Sequence, residues 1–464
     1  MQARAFHPAA RITVNHGSVL KSTALIVAAT MLLLAPALWN GFPLMFFDTG
    51  AFIEQAVKGG FVAERSVFYA WFLAAFWPAA SLWPAMAAQS LIAVLVMVEF
   101  ARVVAPRISP GRFFAIVLAL CIGTGLPWYA GQVLPDILAP LMVLSLYLLG
   151  FHPDALDWPR RVALIAVAAL AATSHASHLG LAAGLAAVTA LAQIAGKFSP
   201  APIRPRWQMP ALVFALSLAL IVASNFARTG EVFVSRAGPA FVFGRLLQDG
   251  IVKRLLDDTC PGSGYRLCAH KDDLPRTAND WLWSGDTPFW DFGGFGGTAE
   301  ESSRIIAESL KRYPLMHLKT AIAATAEQFF MFTTGDGIVP QHDILVAIFQ
   351  QFLPGQLQAY YAARQQNRLI EFGWINPPHL AVGALSILAL AAILARAAWR
   401  RGFDDRLFLP AFLLLALLGN AFICGALSNP HDRYQSRLIW TASFAVLLLA
   451  AGKGSTTETR RHRE

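Results

Sequence analysis

The sequence predicts an all-α integral membrane protein: a bundle of about ten transmembrane helices, with interfacial helices on its outer face and one large outer insertion. Three observations carry this reading. Of 464 residues, 56% are hydrophobic and 14% charged, with a mean hydropathy of +0.51. Soluble chains carry about 25% charged residues, so this one lacks the polar surface to stay in water. Ten apolar runs also approach the roughly 20 residues needed to cross a hydrocarbon core about 30 Å thick. Finally, the residues behind a net charge of +9 lie in short basic patches between those runs, which is how membrane topology is written. No basic stripe with interleaved aromatics exists, which excludes nucleic acid as a partner.

The runs cover 20–40, 84–104, 112–128, 134–150, 162–175, 178–196, 210–226, 378–398, 406–425 and 437–452. Arg4, Arg11 and Lys21 precede the first, which places the N-terminus in the cytoplasm. Arg102, Arg107 and Arg112, then Arg160 and Arg161, then Lys197, Arg204 and Arg206 follow. Arg396, Arg400, Arg401 and Arg406 come next, and Lys453, Arg460, Arg461 and Arg463 end the chain. All these patches fall on the cytoplasmic side if two further apolar stretches, 66–83 and 315–334, do not cross. Trp71, Trp77, Trp83, Pro78 and Pro84 suit the first stretch to the interface. Lys319 and Glu327 make the second a poor span, left outside or half inserted. Both termini are then cytoplasmic. The first run is too long for a signal-peptide core and lacks a small-residue cleavage site, so it reads as an anchor.

Three parts result: residues 1–226 with two informative outer loops, the outer insertion 227–377, and 378–464 with three closing spans and a basic tail. Ser199–Pro210, with four prolines, is a cytoplasmic connector. The insertion is rich in turn formers, and its Cys260 and Cys268 are close enough for a disulfide in an oxidising compartment. Cys121 and Cys424 lie within apolar runs and read as core packing. An amphipathic helix over Glu300–Tyr313 is expected to rest on the bundle.

Candidate chemistry gathers in the outer loops. Asp48, between Phe46, Phe47 and a Thr-Gly pair, is costly near lipid without a partner. It can cap a helix starting near Gly50, or serve as a catalytic base or metal ligand. Asp136 in PWYAGQVLPDI starts a helix behind Pro135, and can also face the same cleft. His175 and His178 share one side of a helical turn, where they offer a metal pair, hydrogen bonds to phosphate or sugar, or plain helix-end polarity. SNPHDRYQSRLIW brings together His431, Asp432, Arg433, Tyr434 and Arg437. Its two arginines break the positive-inside pattern, so a phosphate, a lipid headgroup or an Arg433–Asp432 pair must compensate them. In the insertion, Arg236, Arg245 and Asp249 line a short amphipathic helix that could roof the cleft.

This layout resembles the GT-C superfamily of membrane glycosyltransferases, including the aminoarabinose transferases of lipid A and the protein O-mannosyltransferases. Those enzymes carry an acid in a long first outer loop, then helices on the outer face, then a second acid in the next outer loop. Asp48 matches the first position, Asp136 in LPDILAPLMVLSLYLL the second, and Arg65-Ser66 before VFYAWFLAAFW the start of the second surface helix. The resemblance covers residues 20–200 and departs at Thr49, where many members have a second acid. It implies a GT-C-like bundle and a polyprenyl-phosphate-linked sugar as donor, with membrane lipids as partners. Asp48 and Asp136 would be catalytic, or would hold a divalent cation, Mg or Mn. Arg65, His175, His178, Arg245, His431, Arg433 and Arg437 would bind substrate. Together with the Ala/Arg-rich composition it implies a bacterial inner membrane. A transporter or flippase of a lipid-linked anion is the competing class, although transporters place polar groups at mid-span and here only Glu99 and Asn420 stand out. A non-catalytic envelope-assembly scaffold is a third.

Overall fold

A computed structural model describes residues 16–76, 81–196, 204–399 and 407–461. Arg4, Arg11, Lys197, Arg400, Arg401, Arg406 and Arg463 of the topological argument lie outside them, as do Trp77 and Pro78.

The described residues are helical, without a strand. The chain runs through α1 (His16–Asn40), α2 (Thr49–Lys58), α3 (Val67–Ala75), α4 (Trp83–Val104), α5 (Pro110–Gly123) and α6 (Leu126–Ala130). It continues with α7 (Leu138–Phe151), α8 (Trp158–Ser174), α9 (Ala176–Gly196) and α10 (Gln208–Thr229). Then come α11 (Gly238–Gln248), α12 (Ile251–Thr259), α13 (Ala278–Trp283), α14 (Pro288–Asp291), α15 (Gly294–Gly297) and α16 (Ala299–Arg312). Last are α17 (Pro314–Phe330), α18 (His342–Phe352), α19 (Leu357–Ala362), α20 (Asn376–Trp399), α21 (Phe408–Ala426) and α22 (Asp432–Arg461).

Nine of the ten expected runs coincide with a helix each, and 112–128 is divided between α5 and α6. Among the described residues six helices are long and apolar enough to cross a membrane: α1 from Lys21, α4, α9 to Ala195, α10, α20 and α21. The helix α7 is shorter, and every one of its side chains is buried. A helix apolar all round belongs at the centre of a bundle, and α7 sits against α4, α8, α9 and α10.

The two doubtful stretches resolve differently. Over 66–83 the helix α3 has 9 residues, far short of a span, and it packs on α2 and α8. Ser66 starts it by accepting from the Phe68 N–H, and donates its own hydroxyl to the Thr173 carbonyl. The stretch 315–334 instead forms α17, which packs lengthwise on α21. The approach is close: a Cβ on Gly425 would stand 2.5 Å from the Ala324 carbonyl oxygen. On its other side Leu315, Leu318 and Ile322 are exposed.

The insertion has a core of its own, built on Phe243, Leu255, Leu256, Trp281, Phe289 and Ile305. Cys260 and Cys268 form a disulfide, with Cα atoms 5.6 Å apart. The helix expected over Glu300–Tyr313 appears as α16, but its buried Ile305 faces α11 and α12 rather than the bundle.

Candidate functional site

Two loops at the insertion end of the bundle are zipped together by backbone. Leu44 N–H donates to Gly131 carbonyl at 2.9 Å, and Val133 N–H donates to Leu44 carbonyl at 2.9 Å. Thr49 completes the zipper. Its hydroxyl donates to the Val133 carbonyl at 3.1 Å and accepts from the Phe46 N–H at 3.0 Å. Residues 41–49 and 131–137 are thereby one unit, which fixes Asp48 and Asp136 on neighbouring loops.

Asp48 occupies the N-cap position of α2, yet its side chain makes no capping hydrogen bond. The carboxylate is engaged elsewhere: Oδ1 accepts from Arg65, and Oδ2 stands 3.6 Å from Arg433 Nη2. The capping expectation is thus replaced by a two-arginine clamp. Asp136, 2% exposed, accepts from Arg437 Nη1 at 2.9 Å. Arg433 and Arg437 are four residues apart on α22, hence on one face of that helix. Tyr434 lies between them, with ring centroid 4.8 Å and 5.1 Å from the two guanidinium carbons, and Phe46 lies 4.2 Å from that of Arg433. The expected Arg433–Asp432 pair does not form; Asp432 accepts from the Thr333 N–H at 2.7 Å.

The histidine turn joins through α9. Arg437 Nη2 donates to Ser177 Oγ at 3.2 Å, and His175 Nδ1 lies 2.8 Å from the same hydroxyl. His178 Nδ1 bonds the Ala171 carbonyl at 2.9 Å, its ring 5.2 Å from that of His175.

One acid was missed. Asp336 reaches the N-terminus of α22, where it accepts from the Arg433 N–H at 3.2 Å with His431 Nδ1 at 3.6 Å. Burial pushes its carboxyl up, but His431, that N–H and the Arg433 charge together hold it below the ordinary value. It sits in TTGDGIVP, where Gly335 and Gly337 take φ of +101° and +74°. A Cβ on Gly337 would stand 1.8 Å from Phe46, so only glycine lets this loop close over Phe46. The Gly-Asp-Gly step was the available signal.

Arg245 is not brought into the cluster. It pairs with Asp249 in the insertion at 2.5 Å, both side chains 8% exposed, and Arg236 pairs with Glu231. Among the described residues no three His, Cys, Asp or Glu side chains group to hold a metal, and both candidate carboxylates are occupied by guanidiniums.

The cluster therefore holds three guanidiniums, from Arg65, Arg433 and Arg437, against the carboxylates of Asp48 and Asp136. Several of its buried donors have no protein partner: Arg65 Nε, Arg433 Nη1 and Arg437 Nε. Buried donors left unpaired are expensive. With Asp336 counted, three carboxylates balance the three guanidiniums, so it is the unused donors that suit an anionic group.

Fold and site together define an all-helical chain with the features of a multi-pass membrane protein and a buried Arg–Asp cluster at one end. Against known proteins, the chain matches no family model, no curated protein and no solved structure.

Proposed function

We propose that the protein is a membrane glycosyltransferase, moving a sugar from a polyprenyl-phosphate donor to an envelope lipid, glycan or protein acceptor at the outer face of the bacterial inner membrane. One observation carries the reading. Five charged side chains, Asp48, Arg65, Asp136, Arg433 and Arg437, come from three distant stretches of chain into one buried cluster with unused donors.

The chemistry follows from charge exchange. The donor phosphate takes the free donors of Arg433 and Arg437, drawing Arg433 off Asp48. Oδ2 of Asp48, at 3.6 Å rather than at hydrogen-bond distance, is the oxygen released. It takes the proton from the acceptor hydroxyl as that oxygen bonds to the anomeric carbon. The bond from that carbon to the phosphate oxygen breaks, and the electron pair leaves with the phosphate, where the guanidiniums stabilise it. Arg65 holds Oδ1 and so keeps the base oriented. Asp136, buried against Arg437, positions that arginine rather than touching substrate.

The test uses full-length protein in phosphatidylethanolamine–phosphatidylglycerol vesicles with a panel of radiolabelled polyprenyl-phosphate sugars, reading released polyprenyl phosphate. Asp48→Asn is expected to lower turnover about 10²–10⁴-fold, the usual worth of a general base, with the melting temperature retained. Full turnover in Asp48→Asn overturns the assignment. Wild-type protein that carries the lipid-linked sugar between leaflets without releasing polyprenyl phosphate overturns the reading in favour of a transporter.

A further inference from the structure

A cleft of about 220 Å³ opens beside the charged cluster, lined by Ile338, Val339, Pro340, Gln365, Arg368 and Ile370. Its walls are apolar apart from two residues, and one of these is spent. Gln365 donates to the Met45 and Val339 carbonyls at 2.8 Å and 2.9 Å and accepts from the Met45 N–H at 2.9 Å. Arg368 is left as the lining side chain with donors to offer, and it forms no ion pair among the described residues. Glu371 is near in sequence but does not pair with it.

The backbone at Arg368 is also unusual. With φ of +57° it is the one non-glycine residue with positive φ among the described residues, in a region that a Cβ disfavours. Such conformations concentrate where a side chain has a task.

The surroundings place the cleft at the ends of two membrane-competent helices. Gln365 N–H donates to Asn40 Oδ1 at 2.7 Å, which clips the segment to the end of α1. The same segment leads into Asn376, where α20 begins. Trp39, Val339, Leu369 and Trp374 are all exposed around it, and Arg364 lies 4.8 Å from the Trp39 ring centroid. Exposed tryptophans with arginines at span ends mark the headgroup level of a bilayer.

We propose that this cleft binds an anionic glycerophospholipid, its phosphodiester on Arg368 and the upper part of its chains against Ile338, Val339, Pro340 and Ile370. A single unpaired cation matches a monoanionic phosphodiester better than a doubly charged phosphomonoester. The apolar walls match acyl chain, and the position at two helix ends matches a bilayer lipid. The site is independent of glycosyl transfer: none of the residues lining the cleft belongs to the charged cluster.

The test is lipid retention by full-length protein in detergent, read by native mass spectrometry, with phosphatidylglycerol, phosphatidylcholine and polyprenyl phosphate as probes. Wild type is expected to retain phosphatidylglycerol over phosphatidylcholine. Arg368→Gly is expected to lose that retention about tenfold, the worth of one charge-assisted contact. Because glycine accepts the left-handed backbone, Arg368→Gly keeps or raises the lipid-free melting temperature, so a lost fold is not the explanation. Val339→Asp, at the exposed wall, is expected to weaken retention as well. Equal retention by Arg368→Gly overturns the proposal. So does retention of phosphatidylcholine as strong as that of phosphatidylglycerol, or preferential binding of polyprenyl phosphate in an Arg368-dependent way.

Discussion

Ion pairs in the bundle and ion pairs in the insertion obey different physics. In the insertion, Lys253 pairs with Asp257 and Asp272, Lys271 with Asp272, and Arg312 with Glu308, all on solvated surfaces. Such pairs contribute between nothing and about 1 kcal/mol, and they move little else. In the bundle, the Arg437 and Asp136 side chains are 0% and 3% exposed. Removing two charges from water costs several kcal/mol per ion before attraction returns part of it. A hydrophobic pair of the same volume would hold the bundle together at least as well. Charges kept dry at such cost imply a task other than stability, and here they surround donors that no protein atom uses. The buried pair Arg245–Asp249 shows that the insertion can hide charge too, but there the partners are one helical turn apart on a single element. Asp136 and Arg437 meet across 301 residues.

The largest effect is expected from breaking that contact. Arg437→Met leaves Asp136 buried without its partner and is expected to cost about 3–5 kcal/mol, seen as a large fall in melting temperature in detergent. Arg437→Met with Asp136→Leu should recover most of the stability and none of the transferase activity. Lys253→Ala, the control from the insertion, should leave the melting temperature unchanged. If the double variant stays as unstable as the single one, the buried pair is structural after all and the contrast between the regions breaks.

A middle effect sharpens the boundary between the two cores. Opening the Cys260–Cys268 loop, eight residues in separation, with serine at both positions is expected to cost roughly 2–3 kcal/mol. The loss should be local. Limited proteolysis should cut the insertion core between 237 and 316 sooner than in the oxidised protein, while the bundle helices stay intact. Cleavage spreading into α7 or α22 would mean that the insertion and the bundle fold as one unit.

How much of this was legible in the sequence depends on range. Helices are written locally, in runs of apolar residues, and nine of the ten expected runs coincide with one, the run 112–128 being divided between α5 and α6. Lys319 and Glu327 made the stretch that forms α17 a poor span, and α17 is not among the six helices long and apolar enough to cross; its close seat on α21 at Gly425 is what no local window sees. The cluster was legible as a set of anomalies: acids beside lipid, and arginines in a loop predicted to avoid them. What the anomalies compensate was not legible. Asp48 as a cap and Arg433 paired to Asp432 were the nearest neighbours in sequence. The actual partners, Arg65 and Arg433 for Asp48 and Asp136 for Arg437, are set by the zipper between residues 41–49 and 131–137 and by the pitch of α22.

Asp336 tests the comparison at its margin, since it belongs to the 227–377 stretch by sequence and to the cluster by position. Its carboxylate lies at the N-terminus of α22, where negative charge is favoured, and its proton affinity is lowered in the fold. A lowered value means that the ionised form stabilises the native state. This contribution is full above the unfolded carboxylate value of about 4 and is lost as pH falls through the lower folded one. Asp336→Asn is expected to cost about 1 kcal/mol at neutral pH, the smallest effect of the series. It should also flatten the acid limb, so that the gap in melting temperature between wild type and variant closes from pH 4 downward. If the gap stays constant, the Asp336 carboxylate does not titrate with folding. The loop over Phe46 is then held by its glycines and by uncharged contacts of its backbone and Thr334, among them the Thr334 N–H donating to Asn376 Oδ1 at 2.7 Å, together with the Thr333 N–H on Asp432.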